Sequence, residues 1–144
     1  MSNLESFTTA LKEAGLRLTP QRIAICGLLS ESREHPTAAR IHQMLQAEYP
    51  SLSLMTVYNT LNTLVDLGVV NALGHAGDGN THYDGDTSPH INLACVSCHR
   101  IVDVPSPRLA DLDAEVSRDT GYKLLGARLM YYGLCPKCQR STTH

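Results

Sequence analysis

The placement of the cysteines constrains this chain more than any other feature. Cys95-Val96-Ser97-Cys98 and Cys135-Pro136-Lys137-Cys138 form two CxxC pairs separated by 36 residues, and together they hold four of the five cysteines. Two residues between a pair let both sulfurs turn toward one ion from a tight knuckle, and four thiolates complete a tetrahedral zinc site. Ser97 and Pro136 suit such turns. Two disulfides, or four plain buried thiols, are the bland alternatives. The paired spacing favours structural zinc at Cys95, Cys98, Cys135 and Cys138. A four-sulfur site has no open position, so it speaks for architecture rather than for chemistry. The fifth cysteine, Cys26, lies in the apolar run Ile23-Ala24-Ile25-Cys26 and reads as a small core residue.

The first half of the chain carries helical signals. Residues 4–15 place Leu4, Phe7 and Leu11 at helical spacing, and Gly15 stops the run. Thr19 before Pro20 is an N-cap with proline at the first helical position, which predicts a helix to about Ser30. Thr37 starts another, to about Glu48, and Ser53 starts a fourth, ended by Gly68. On this last helix Val57, Leu61, Leu64 and Val65 fall on one side and Thr56, Asn59, Thr60 and Thr63 on the other. The second face is polar but uncharged, a composition suited to base edges and thymine methyls in a DNA major groove.

Residues 69–73, a glycine-rich turn and residues 81–84 then read as a hairpin. Helices followed by a two-stranded hairpin read as a winged helix-turn-helix domain over 1–84, while periodicity alone leaves a small helical domain of other purpose equally open. A polar linker, 85–89, leads to a small domain over 90–144. Short strands are expected at 91–94 and 100–104, a helix near 107–119 ended by Gly121, and a long strand over 122–132 broken at Gly126. The fold class is therefore α+β, with the ends of the second domain pinned by zinc.

Charge qualifies the nucleic-acid reading. Residues 1–88 hold five Lys/Arg against nine Asp/Glu, a net of −4, and the remainder holds seven against five, a net of +2. A DNA-binding head without a broad basic face predicts low non-specific affinity. No secretory signal, lipidation signal or long apolar run is present, so a soluble, cytoplasmic protein is expected, the compartment in which zinc-bound thiols persist.

Several motifs recur in a telling order: 15–22 (Gly-Leu-Arg-Leu-Thr-Pro-Gln-Arg), His35-Pro36-Thr37-Ala38, Thr56-Val57-Tyr58-Asn59-Thr60-Leu61, Leu67-Gly68-Val69-Val70, Tyr83-Asp84, His90 ahead of its CxxC, Ile101-Val102-Asp103 and the final CxxC. Over nearly its whole length the chain resembles the ferric uptake regulator family of bacterial metalloregulators. The resemblance implies a homodimer whose winged-helix heads bind an inverted-repeat operator and whose second domains pair through their strands. It also implies a regulatory metal between the domains, with the metal-bound form usually the repressor.

His-Pro-Thr-Ala and Tyr83-Asp84 lean toward the peroxide-sensing branch of that family. The resemblance then assigns the regulatory ion, Fe(II) or Mn(II) with Zn(II) able to substitute, to His35, Asp84, His90 and Asp103, and peroxide-driven oxidation to His35 and His90. The branch carries a further histidine where this chain has Asn92. Period-2 alternation puts Asn92 on the strand face of His90, where its amide oxygen could serve. The same alternation puts His82 on the face of Asp84, where it could supply the missing ligand nitrogen, and Asp86 on that face too. His42 and His75 read as surface groups, His99 as pointing away from the site, and His144 as a frayed end. For DNA, the resemblance points to Arg17 in the minor groove and Tyr58 on backbone or base, with Thr56 and Asn59 near base edges and Arg22 on phosphate. The resulting reading is a metal-dependent repressor, not an enzyme, with no membrane partner and no small-molecule substrate other than peroxide. An iron- or zinc-uptake regulator is the rival within the family. A small zinc hydrolase using His35, His90 and Asp103, or a CxxC thiol switch, are rivals outside it.

Overall fold

In the computed structural model, which describes residues 3–32, 34–88, 90–124 and 127–141, the chain forms two compact units. The first comprises residues 1–75 and 79–87. The second comprises 88–144 together with 76–78 from the hairpin loop.

The first unit contains α1 (Asn3–Glu13), α2 (Pro20–Glu31), α3 (Ala38–Leu45), α4 (Leu54–Asp66), β1 (Asn71–Leu73) and β2 (His82–Asp84). Three of the helices begin at the caps visible in the sequence. The hydroxyls of Thr19, Thr37 and Ser53 accept the amides of Arg22, Arg40 and Thr56 at 3.2, 3.1 and 3.0 Å, which satisfies donors that a helix start leaves open. Phe7 and Leu11 of α1, Ile25 and Leu29 of α2, Ile41 of α3 and Val57, Leu61 and Leu64 of α4 close a single core. Cys26 is part of it, and burial pushes its thiol up to about 11.

The strands β1 and β2 are antiparallel, with Asn71 opposite Asp84 and Leu73 opposite His82. The other edge of β2 is also occupied. Thr37 forms an antiparallel bridge with His82, and the amide of Tyr83 donates to the carbonyl of Pro36 at 3.0 Å. The loop ahead of α3 is thereby fixed along the strand that carries Asp84.

The second unit contains β3 (Ile91–Cys95), β4 (Ile101–Val104), α5 (Arg108–Thr120), β5 (Leu129–Gly133) and α6 (Pro136–Ser141). The sheet order is β4-β3-β5, antiparallel on one side of β3 and parallel on the other. Two expectations need correction. The last strand is short: residues 122–124 are not extended-paired, and Gly126, where a break was expected, lies outside the described residues. The final CxxC is not two turn residues between cysteines, because Pro136 begins α6 and the helix brings Cys138 round by about one turn.

At the hairpin loop, Gly77 has φ +91° and packs so closely on Val96 that a Cβ would lie 2.9 Å from the Val96 carbonyl oxygen, so only glycine fits. No helix among the described residues is long and apolar enough to cross a membrane.

Candidate metal centres and the exposed face of the fourth helix

The four cysteine sulfurs of the second unit all lie within 4.8 Å of one another. Cys95 ends β3, and a turn over Val96 and Ser97 delivers Cys98. His99 closes this knuckle with φ +66°, its amide donating to the carbonyl of Cys95 at 2.8 Å. Cys135 follows β5 and Cys138 follows on α6. The Cys98 and Cys135 sulfurs are 4.0 Å apart. A tetrahedral ion with zinc–sulfur bonds of about 2.3 Å sets its sulfurs about 3.8 Å apart, so the spacing fits a metal and is far too long for a disulfide.

The electrostatics agree. The amides of Cys135 and Cys98 pointing at the Cys95 sulfur pull its thiol down to about 6, and the Cys138 amide lowers Cys135. Cys138, hydrogen-bonded to the Cys135 sulfur, is pushed up to about 11. The anionic form is thus favoured at Cys95 and Cys135 and opposed at Cys138, a crowding of sulfurs that a divalent cation resolves.

The first unit holds a buried imidazole–carboxylate pair. His35 Nε2 lies 3.4 Å from Asp84 Oδ2, and the two residues are 3% and 5% exposed. The other oxygen of Asp84 accepts the Asp86 amide at 2.9 Å, which turns Oδ2 toward His35. His35 has φ +55°, a left-handed backbone that costs a non-glycine residue about 1–2 kcal/mol. Such a conformation persists only where its surroundings enforce it. His82, which the sequence offered as a ligand, is buried, and its Nδ1 lies 2.6 Å from the His35 carbonyl oxygen. Asp86 is exposed and contributes its amide.

The second unit holds a matching group. In the β3–β4 register Asn92 stands opposite Asp103, and His90 precedes Asn92 by two. His90 Nε2 lies 3.3 Å from Asp103 Oδ1 and 3.2 Å from Asn92 Oδ1, while its Nδ1 sits 2.7 Å from the Ser88 carbonyl. Donation from Nδ1–H to Ser88 leaves the Nε2 lone pair facing two oxygens. Three acceptors then converge on one point, which a cation satisfies. Asn92, the residue that departs from the peroxide-sensing pattern, is buried with its Oδ1 3.2 Å from His90 Nε2.

Comparison with known proteins identifies the chain. The ferric uptake regulator family model matches residues 13–132. The chain belongs to the ferric uptake regulator family. The peroxide-responsive repressor PerR of Staphylococcus aureus strain Mu50 is 37% identical over 136 residues, covering 94% of this chain and 91% of that protein. Among solved structures, PerR from Streptococcus pyogenes aligns with 37% identity, a TM-score of 0.55 and coverage of 96% of this chain and 95% of the other. The ferric uptake regulator of Helicobacter pylori aligns with a TM-score of 0.80 at 24% identity, covering 99% of this chain and 95% of the other, a likeness of fold.

In this ferric uptake regulator family member α4 presents a DNA-facing candidate that differs in part from the sequence reading. Val57, Thr60, Leu61 and Leu64 are its buried stripe. Thr60 is therefore not on the outer face. Its position three residues after Val57 and four before Leu64 puts it in the core stripe, and donation of its hydroxyl to the Thr56 carbonyl at 2.8 Å makes that burial tolerable. Thr56 is half-buried and hydrogen-bonded to the capping Ser53 at 2.9 Å. The exposed stripe is Met55, Tyr58, Asn59 and Asn62. Asn62 and Met55 were missed because polarity was read residue by residue, whereas spacing from Asn59 and Tyr58 would have found them. Arg17 is exposed. Arg22 donates from a guanidinium nitrogen to the Arg17 carbonyl at 2.7 Å and so braces the α1–α2 loop. His42 is half-buried rather than a surface group, with Nε2 2.8 Å from the Leu52 carbonyl.

Proposed function

We propose that this protein is a cytoplasmic, homodimeric, metal-dependent repressor of transcription that senses peroxide through oxidation of its own histidines. One Fe(II) or Mn(II) ion draws on both imidazole–carboxylate pairs, His35 with Asp84 and His90 with Asp103, and Asn92 supplies an amide oxygen where relatives offer imidazole. The observation that carries this reading is the donor set itself. Each pair presents Nε2 against a carboxylate oxygen, and no thiolate is among them. Imidazole and carboxylate suit ferrous and manganous ions and discriminate poorly against zinc. Only five residues lie between Asp84 and His90, so the two pairs are closely tethered along the chain.

Fe(II), when bound, would supply the one-electron chemistry that cleaves the peroxide O–O bond, and the imidazole itself gives up the net two electrons. One oxygen ends on an imidazole carbon of His35 or His90 in place of hydrogen, and the other leaves as water. The altered imidazole no longer ligates, and the coupling between metal and operator is lost. Metal affinity and DNA affinity rise together because the loaded form is the one that binds. Structural zinc at the four cysteines holds the second unit. Met55, Tyr58, Asn59 and Asn62 of α4 face the operator, with Arg17 and Arg22 beside the backbone.

The deciding experiment is peptide mass spectrometry of protein loaded anaerobically with Fe(II) or with Mn(II), treated with low peroxide while binding is followed to an operator selected from random-sequence DNA. The expected result is a gain of about 16 Da, one oxygen atom, on the peptide carrying His35 or His90, with iron alone, and parallel loss of binding. Binding that follows metal concentration with no such gain would replace this reading with a metal-uptake regulator.

The dimer has its own support. Val102, Leu93 and Tyr131 stand in register across β4, β3 and β5, and all three are exposed. A continuous exposed apolar row of this kind marks an association surface. Leu93→Asp places a charge in its middle. Light scattering is expected to report a single-chain mass for this variant and a doubled mass for the parent, and a dimeric Leu93→Asp protein would exclude this face.

A further inference from the structure

We propose that His82 is a positioning residue of the regulatory site, clamping the backbone of His35 without touching the metal. The inference rests on the reading of His35 as a ligand and adds to it a second, non-ligating imidazole.

His35 sits in a loop with a left-handed backbone, a conformation uncommon outside glycine although histidine adopts it more readily than most residues. Its carbonyl is turned inward, where an oxygen needs a donor. His82 Nδ1 meets that oxygen at 2.6 Å, and both residues are buried. The bond fixes the tautomer, because the proton must be on Nδ1.

Geometry ties this bond to the site. His82 and Asp84 alternate on one short strand and face the same way. Asp84 receives the His35 imidazole and His82 receives the His35 carbonyl, so β2 grips that residue at both ends. The Thr37–His82 bridge and the Tyr83 amide on the Pro36 carbonyl fasten the neighbouring residues to the same strand. Groups behind a metal ligand that set its orientation commonly govern affinity by about 10–100-fold. The loop then holds Nε2 at Asp84 before any metal arrives, which removes an ordering cost from binding.

Three variants of the full chain test this, with Mn(II) as the probe. His82→Leu fills the space but cannot donate, and is expected to weaken Mn(II) binding about tenfold or more. His82→Asn places an amide N–H near the Nδ1 position and is expected to restore most of that affinity. Electron–nuclear double resonance of the Mn(II) protein should count the same number of coordinated imidazole nitrogens in the parent and in His82→Asn. In metal-free protein, long-range proton–nitrogen spectra should show His82 with its proton on Nδ1. Equal loss in both variants, or one nitrogen fewer in His82→Asn, overturns the clamp, the latter by making His82 a ligand. His35→Ala separates the two levels of the argument. If it leaves Mn(II) affinity unchanged, the site reading itself fails. If it abolishes binding while His82→Leu binds like the parent, the site stands and the clamp does not.

Discussion

Cys95→Ser is expected to abolish stoichiometric zinc and unfold the second unit while the first remains helical. The reason lies in how little the second unit buries. Among the described residues its fully buried apolar side chains are Ala76, Ala94, Cys95 and Ile101, and α5 buries none. So small a core does not offset the conformational entropy of a unit of sixty residues. Structural zinc can contribute on the order of 10 kcal/mol of folding free energy, comparable to the whole stability of a small domain. The first unit, closed by Phe7, Leu11, Ile25, Leu29, Ile41, Leu61 and Leu64, needs no such help. A colorimetric zinc assay with amide spectra of both units checks this. A Cys95→Ser protein with native second-unit resonances would show that the four cysteines are dispensable for folding. In the parent, chelation should expose four thiols to alkylation at once, with Cys26 reacting only on global unfolding, since burial holds its thiol protonated.

Asp84→Asn is expected to separate stability from sensing. The substitution keeps shape and removes charge from a residue that is almost fully buried beside His35. Without metal, the Asp86 amide and the His35 imidazole already meet this carboxylate, and an amide oxygen in its place accepts the same Asp86 N–H, so the metal-free variant should melt close to the parent. With metal, the lost charge removes a principal anionic donor. Mn(II) affinity should fall on the order of 100-fold or more, and the rise in melting temperature on adding metal should vanish with it. Calorimetric titration and melting curves with and without Mn(II) provide the check. A variant that binds Mn(II) like its parent would remove Asp84 from the regulatory site.

Much of the architecture is legible in local chemistry. Helix starts at Thr19, Thr37 and Ser53 follow from side chains that cap amides three residues on, and no distant contact can undo that preference. Stops at Gly15, Gly68 and Gly121 follow from positive φ, which glycine alone adopts without cost. The grouping of the four cysteines follows from spacing, because two intervening residues set the bite of each pair. The errors share one cause. Thr60 was assigned outward by its polarity and lies inward by its position. The last strand was drawn long from apolar content, and α6 was missed within a motif read as a turn.

The sequence by itself determined the two cysteine pairs, the helical caps and the order of helices and hairpin, since each depends on residues close together in the chain. Only the tertiary structure decided what the histidines do. His35 and Asp84 are 49 residues apart, and they meet because β2 pairs with the loop ahead of α3. His82 turns from candidate ligand to backbone clamp because that same pairing sets its Nδ1 against a carbonyl 47 residues away. Asn92 gains a place beside His90 because the β3–β4 register sets it opposite Asp103. An imidazole or an amide carries no local signal of its partner, and its role is fixed only when strand pairing chooses the atoms that it faces.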